Sequence, residues 1–84
     1  MVIAPAAQRQ IRRLPPGDAA RLRGPILSLG IEPRQQSAAK LADTKFWRLR
    51  VGDLRVVYLI EKSGTVVILK AARRSESVYR RIHR

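Results

Sequence analysis

The 84-residue sequence predicts an α+β fold: a two-helix hairpin packed on a small antiparallel β-sheet, followed by a short C-terminal helix. Three observations predict it. Between Pro5 and Gly30 apolar residues recur at helical spacing. From Phe46 the period changes to two, and then to nearly continuous β-branched runs. Two short turn signals, Gly52-Asp53 and Lys62-Ser63-Gly64, separate those runs, which makes successive strands antiparallel neighbours. Helices first and strands afterwards is the order of an α+β domain, and the length suits one domain over residues 1–84.

Met1 to Ile3 is apolar and reads as the end of a strand, too short to stand alone. Pro5 suits a helix start, and Ala7, Ile11 and Leu14 fall on one face of that helix. Pro15-Pro16-Gly17 ends it, and Asp18 reads as the N-cap of the next helix. Ala19, Leu22, Ile26 and Leu29 form the second apolar stripe, with a kink or restart at Gly24-Pro25 and a stop at Gly30. Glu32 to Thr44 reads as a polar loop anchored by Leu41. In Phe46–Val51, Trp47, Leu49 and Val51 take one face, and Arg48 and Arg50 the other. Leu54–Glu61 and Thr65–Ala72 read as central strands, with Tyr58 in the core. Ser75 or Ser77 caps a final helix carrying Val78 to Ile82.

Charge is the strongest compositional signal. Eighteen Lys and Arg face six Asp and Glu, for a net charge of +12. Such an excess is relieved by a polyanion, and its richness in Arg favours bidentate phosphate contacts. There is no cysteine, so disulfides and thiolate metal sites are excluded. His83 has no partner at ligand spacing, no phosphate-binding glycine motif occurs, and no cofactor is expected. No apolar run approaches the roughly 20 residues of a membrane span, and the N-terminus lacks a signal-peptide pattern. A cytoplasmic protein that does not engage membrane is the expectation.

The remaining chemistry is cationic. Arg48 and Arg50 share a strand face. Arg55 opens the next strand, and the hairpin brings it back beside them. Arg73 ends the last strand, and an antiparallel return sets that end near Arg55. Tyr79 follows in the segment expected to fold back. The expectation is therefore four guanidinium groups and a phenol converging on one patch, a phosphate clamp. With RNA such a clamp can also be an active site. The 2′-hydroxyl attacks its own phosphate, arginines stabilise the phosphorane charge, and an aromatic ring orients a base. Lys45, Arg74, Arg80 and Arg81 add RNA-binding charge around it, whereas Arg12, Arg13, Arg21 and Arg23 lie on outer helix faces and read as solvated or as ribosome-scale phosphate contacts, not catalytic. Trp47 reads as core or as an interface plug.

The runs WRLRVGDLRVVYLI and VVILKAARRSESVYRR resemble the RelE branch of the RelE/ParE toxin superfamily. AAQRQIRRLP resembles its first helix, and EPRQQSAAKL resembles the loop before its sheet. The resemblance implies a toxin that cleaves messenger RNA on the ribosome without a metal, contacting ribosomal RNA, and that a cognate antitoxin wraps and silences. It implies basic roles beside the active site for Arg48 and Arg50, phosphate stabilisation for Arg55, an acid or charge-stabilising role at the leaving 5′-oxygen for Arg73, and stacking on the substrate for Tyr79. The family often has lysine where Arg48 and Arg50 stand. Arginine effectively cannot give up its proton, so the general base stays open between Tyr79 and charge stabilisation without a base. The family commonly has tyrosine where Leu54 stands. Two rivals remain: a ParE-like inhibitor of DNA gyrase that catalyses nothing, and a degenerate member that only binds antitoxin or RNA.

Overall fold

Three strands and two helices form where the sequence periodicity places them, and two short edge strands complete the sheet. The computed structural model describes residues 1–73; the expected C-terminal helix, Tyr79, Arg74, Arg80, Arg81 and His83 lie outside the described residues. In chain order the elements are β1 (Val2–Ile3), α1 (Pro5–Arg13), α2 (Pro16–Leu29), β2 (Ala38–Lys40), β3 (Phe46–Val51), β4 (Leu54–Ile60) and β5 (Val66–Arg73). The five strands make one sheet in the order β1-β5-β4-β3-β2. All pairs are antiparallel except β1 with β5, which is parallel. Among the described residues no helix is long and apolar enough to cross a membrane.

Both helices lie on one face of the sheet. Ala7, Leu22, Ile26 and Leu29 pack there against Leu49, Leu54, Val56, Tyr58, Ile68 and Ala71. A smaller apolar cluster, Phe46 and Val57 flanked by Leu41, Leu59, Leu69 and Ala72, sits on the other face. The two clusters follow strand parity: β4 is buried along most of its length, as its continuous apolar run requires.

Several local expectations need correction. Asp18 is not the N-cap of α2. Pro15 holds that place, Pro16 begins the helix, and the Asp18 N–H already donates to the Pro15 carbonyl at 2.9 Å. The fixed φ of proline suits the first helical position, which moves the start three residues upstream. The helix runs through Pro25 without a restart. The stretch expected to be wholly loop contains β2, which pairs Ala38 with Leu49 and Lys40 with Trp47. Three residues of Ala-Ala-Lys carry no strand pattern of their own; the edge of β3 imposes it.

β1 is as short as expected, pairing only Val2 with Val67 and Ile3 with Ile68. Beyond it the edge of β5 is completed by a side chain: Gln10 of α1 accepts the Ala71 N–H at 2.8 Å through Oε1. A register shift between Val57 and Tyr58 gives β5 one extra residue, Leu69, between Ile68 and Lys70. That bulge decides the geometry of the site.

Candidate functional site

β3 and β4 together set three arginines on the sheet face turned away from the helices. Arg48 lies opposite Val57, and Arg50 lies directly opposite Arg55. Like charges facing each other across a ladder are unfavourable. Arg55 is nonetheless 7% exposed, the one buried charged side chain among the described residues. Its Nη1 donates to the Gly52 carbonyl at 2.8 Å and to the Leu54 carbonyl at 2.8 Å. These bonds fix the guanidinium plane over the β3–β4 turn. Arg48 is half-buried and Arg50 exposed. Among the described residues none of the three is paired with a carboxylate, so the patch keeps its charge.

Arg73 does not join them. It lies opposite Leu54, and therefore on the helix face. Without the extra residue at Leu69, strand parity would place Arg73 on the face of Arg55; one inserted residue reverses the side. There Arg73 meets Asp18 at 2.7 Å and Asp53 at 3.5 Å. Arg21 meets Asp18 at 3.2 Å and Asp53 at 3.7 Å. Arg21, expected to be solvated or a phosphate contact, is thus part of a four-membered ring with Arg73 and two of the six acidic residues. The sequence signal for this was the i,i+3 spacing of Asp18 and Arg21. Lys45 precedes β3 at the end opposite Arg50, beside Lys40, Asp43 and Thr44.

Trp47 and Tyr58 take the helix face as expected. Tyr58 is fully buried and donates its hydroxyl to the Pro33 carbonyl. Trp47 stacks on it with ring centroids 6.3 Å apart, and the Arg34 guanidinium lies 5.7 Å from the Trp47 ring. Arg34 escaped the sequence reading, because a loop residue carries no parity. Burial pushes the Tyr58 phenol up to about 12, against a smaller opposing effect from Arg34. At neutral pH it is a fixed donor, unable to take a proton from a ribose hydroxyl. A shallow groove of about 600 Å³ opens between β1, α1 and α2, lined by Ile3, Ile11, Leu22, Ile26 and Leu27.

Over residues 1–78 the sequence matches the family of the ParE toxin of type II toxin–antitoxin systems, parDE. The chain belongs to the ParE toxin family. This ParE-family toxin shares its fold with RelE structures, in keeping with the RelE/ParE superfamily. It is similar to the Mycobacterium tuberculosis RelBE2 toxin–antitoxin complex, with 28% identity, a TM-score of 0.76, and coverage of 86% of this chain and 93% of that one. It is similar to the Pyrococcus horikoshii RelE–RelB complex, with 27% identity, a TM-score of 0.75, and coverage of 88% and 92%. The isolated Escherichia coli RelE toxin is 15% identical, with a TM-score of 0.76 over 89% of this chain and 83% of that one, a likeness of fold. None of the curated proteins matches significantly.

Proposed function

We propose that this ParE-family toxin is an endoribonuclease that cuts ribosome-bound messenger RNA in the cytoplasm and is silenced by a cognate antitoxin. The observation that carries the reading is the patch of Arg48, Arg50 and Arg55: three guanidinium groups on one sheet face, without carboxylate partners among the described residues, one of them immobilised by two carbonyls. In this reading the 2′-hydroxyl attacks the adjacent phosphorus. The P–O bond to the 5′-oxygen breaks, and a cyclic phosphate and a 5′-hydroxyl result. Arg55 and Arg48 stabilise the equatorial oxygens of the phosphorane, and Arg50 binds the strand. Tyr79 stacks on a base, and Lys45, Arg74, Arg80 and Arg81 hold flanking phosphates and ribosomal RNA. Arg73 supports the turn behind the patch instead of touching phosphate. Charge on arginine suffices for this chemistry, so no metal is called for and cleavage persists in a chelator. RelE-type neighbours crystallised with RelB partners support an antitoxin for this chain, and the apolar groove at α1 and α2 is its docking place.

The matched family favours a second reading, inhibition of DNA gyrase without catalysis. Mapping messenger RNA 5′ ends after induction decides between them. The endonuclease gives new ends within reading frames, and Arg55→Ala abolishes them while leaving the fold intact. Arrested replication over intact messenger RNA establishes the gyrase reading instead, and absence of any growth arrest reduces the chain to a binder.

A further inference from the structure

The Arg55 guanidinium is held from behind the sheet. One of its two carbonyl partners belongs to Gly52, in a turn whose two residues, Gly52 and Asp53, are both exposed. Gly52 has a φ of +59°, the first loop position of a two-residue hairpin. No apolar packing fixes so small a turn. Arg21 does: its guanidinium lies against Gly52 so closely that a Cβ there would collide with Nη2. The same guanidinium bridges Asp53 at 3.7 Å and Asp18 at 3.2 Å. Arg73 closes the circuit through the second oxygens, Asp18 Oδ2 at 2.7 Å and Asp53 Oδ2 at 3.5 Å. Alternating charges thus join α2, the β3–β4 turn and the end of β5. A single exposed pair does little, but two planar forks in a closed ring restrain a turn in direction as well as distance.

We infer that Arg21 is a positioning residue for Arg55, clamping the Gly52–Asp53 turn so that the Gly52 carbonyl sets the plane of the Arg55 guanidinium. The inference rests on reading the Arg48–Arg50–Arg55 face as the phosphate-binding face. It assigns a role in that site to a helix residue on the opposite side of the sheet.

The test uses the full chain with Arg21→Ala, Arg21→Lys and, as a control with the same change in charge on the same helix, Arg23→Ala. Two readouts are taken: proton exchange of the Arg55 guanidinium by NMR, and steady-state cleavage of ribosome-bound messenger RNA. Arg21→Ala speeds Arg55 proton exchange about 10-fold or more as the turn opens locally. It lowers kcat by up to about 100-fold while KM stays within roughly 2-fold, since the group it displaces acts in the transition state. Arg21→Lys, with one point charge for two carboxylates, recovers part of both. Arg23→Ala moves neither. Wild-type exchange at Arg55 in folded Arg21→Ala overturns the inference. If the wild type cleaves no RNA, the proposed function fails and the exchange measurement alone decides the positioning. Should Arg21→Ala not fold, Asp53→Asn at the exposed turn gives the same faster exchange or overturns the inference.

Discussion

At the scale of single residues the site is defined by which polar groups are fixed and which are free to titrate. Tyr58 is fixed. Its phenol is buried, donates to the Pro33 carbonyl, and is pushed up to about 12 from an ordinary 10.0. Because the folded chain holds the proton more tightly than the unfolded chain, this stabilisation is complete below pH 10 and is lost as pH rises towards 12. The wild-type denaturant midpoint therefore falls across that window. In Tyr58→Phe that part of the fall is absent, a difference on the order of 2 kcal/mol readable from urea melts at pH 9 and pH 12. Arg55 is the second fixed group. Arg55→Lys keeps the charge but replaces the planar Nη1, which donates to both carbonyls, with a tetrahedral ammonium on a shorter side chain, so at least one of the two bonds is lost. The variant has a stability cost of about 1–2 kcal/mol in the same urea assay, and under the proposed endonuclease reading its cleavage of ribosome-bound messenger RNA drops by roughly 10- to 100-fold.

At the scale of elements, α1 owes its place to more than its apolar stripe. Gln10 reaches from it to the Ala71 N–H where β1 has ended, acting as a substitute for a missing strand residue. Gln10→Ala leaves that backbone donor without its partner, costing about 1–2 kcal/mol, and Ala71 loses amide-exchange protection ahead of the rest of β5. The sequence already showed α1, β3 and the two faces of β3, since Ala7, Ile11 and the Trp47–Leu49–Val51 alternation are local patterns. It showed Arg55 returning beside Arg48 and Arg50, because the short Gly52-Asp53 turn makes the two strands a hairpin. It could not show β2, whose strand state comes from β3 and not from Ala38-Ala39-Lys40. Nor could it show the side taken by Arg73. Leu69 looks like any other residue of an apolar run, yet the bulge it makes against β4 turns everything after it over. Counting parity along β5 therefore fails at one residue, and the expected four-arginine patch becomes a three-arginine patch with a neutralised arginine behind it.

At the scale of the whole molecule, two electrostatic effects of opposite sign compete, and their ranges decide which prevails. The chain carries +12, and its extents are 33 × 26 × 24 Å. At about 0.01 M salt the screening length is about 30 Å, so every cation feels nearly every other. At about 0.15 M it is about 8 Å, and only neighbours such as Arg50 and Arg55 still repel. The Asp18–Arg21–Asp53–Arg73 ring works over contacts of 2.7 to 3.7 Å, far inside either length, and loses much less. Salt therefore relieves the long-range repulsion more than it weakens the ring, and thermal stability rises with ionic strength. Each kcal/mol relieved corresponds to about 4–8 °C in Tm for a domain of this size. In Asp18→Asn/Asp53→Asn, two of the six carboxylates are gone, so the variant melts lower at low salt and its Tm climbs more steeply with added NaCl. Calorimetry of both proteins between low and physiological salt checks the argument: a wild-type Tm that falls with salt would show the ring, and not the surplus of arginine, to be the dominant electrostatic feature of the fold.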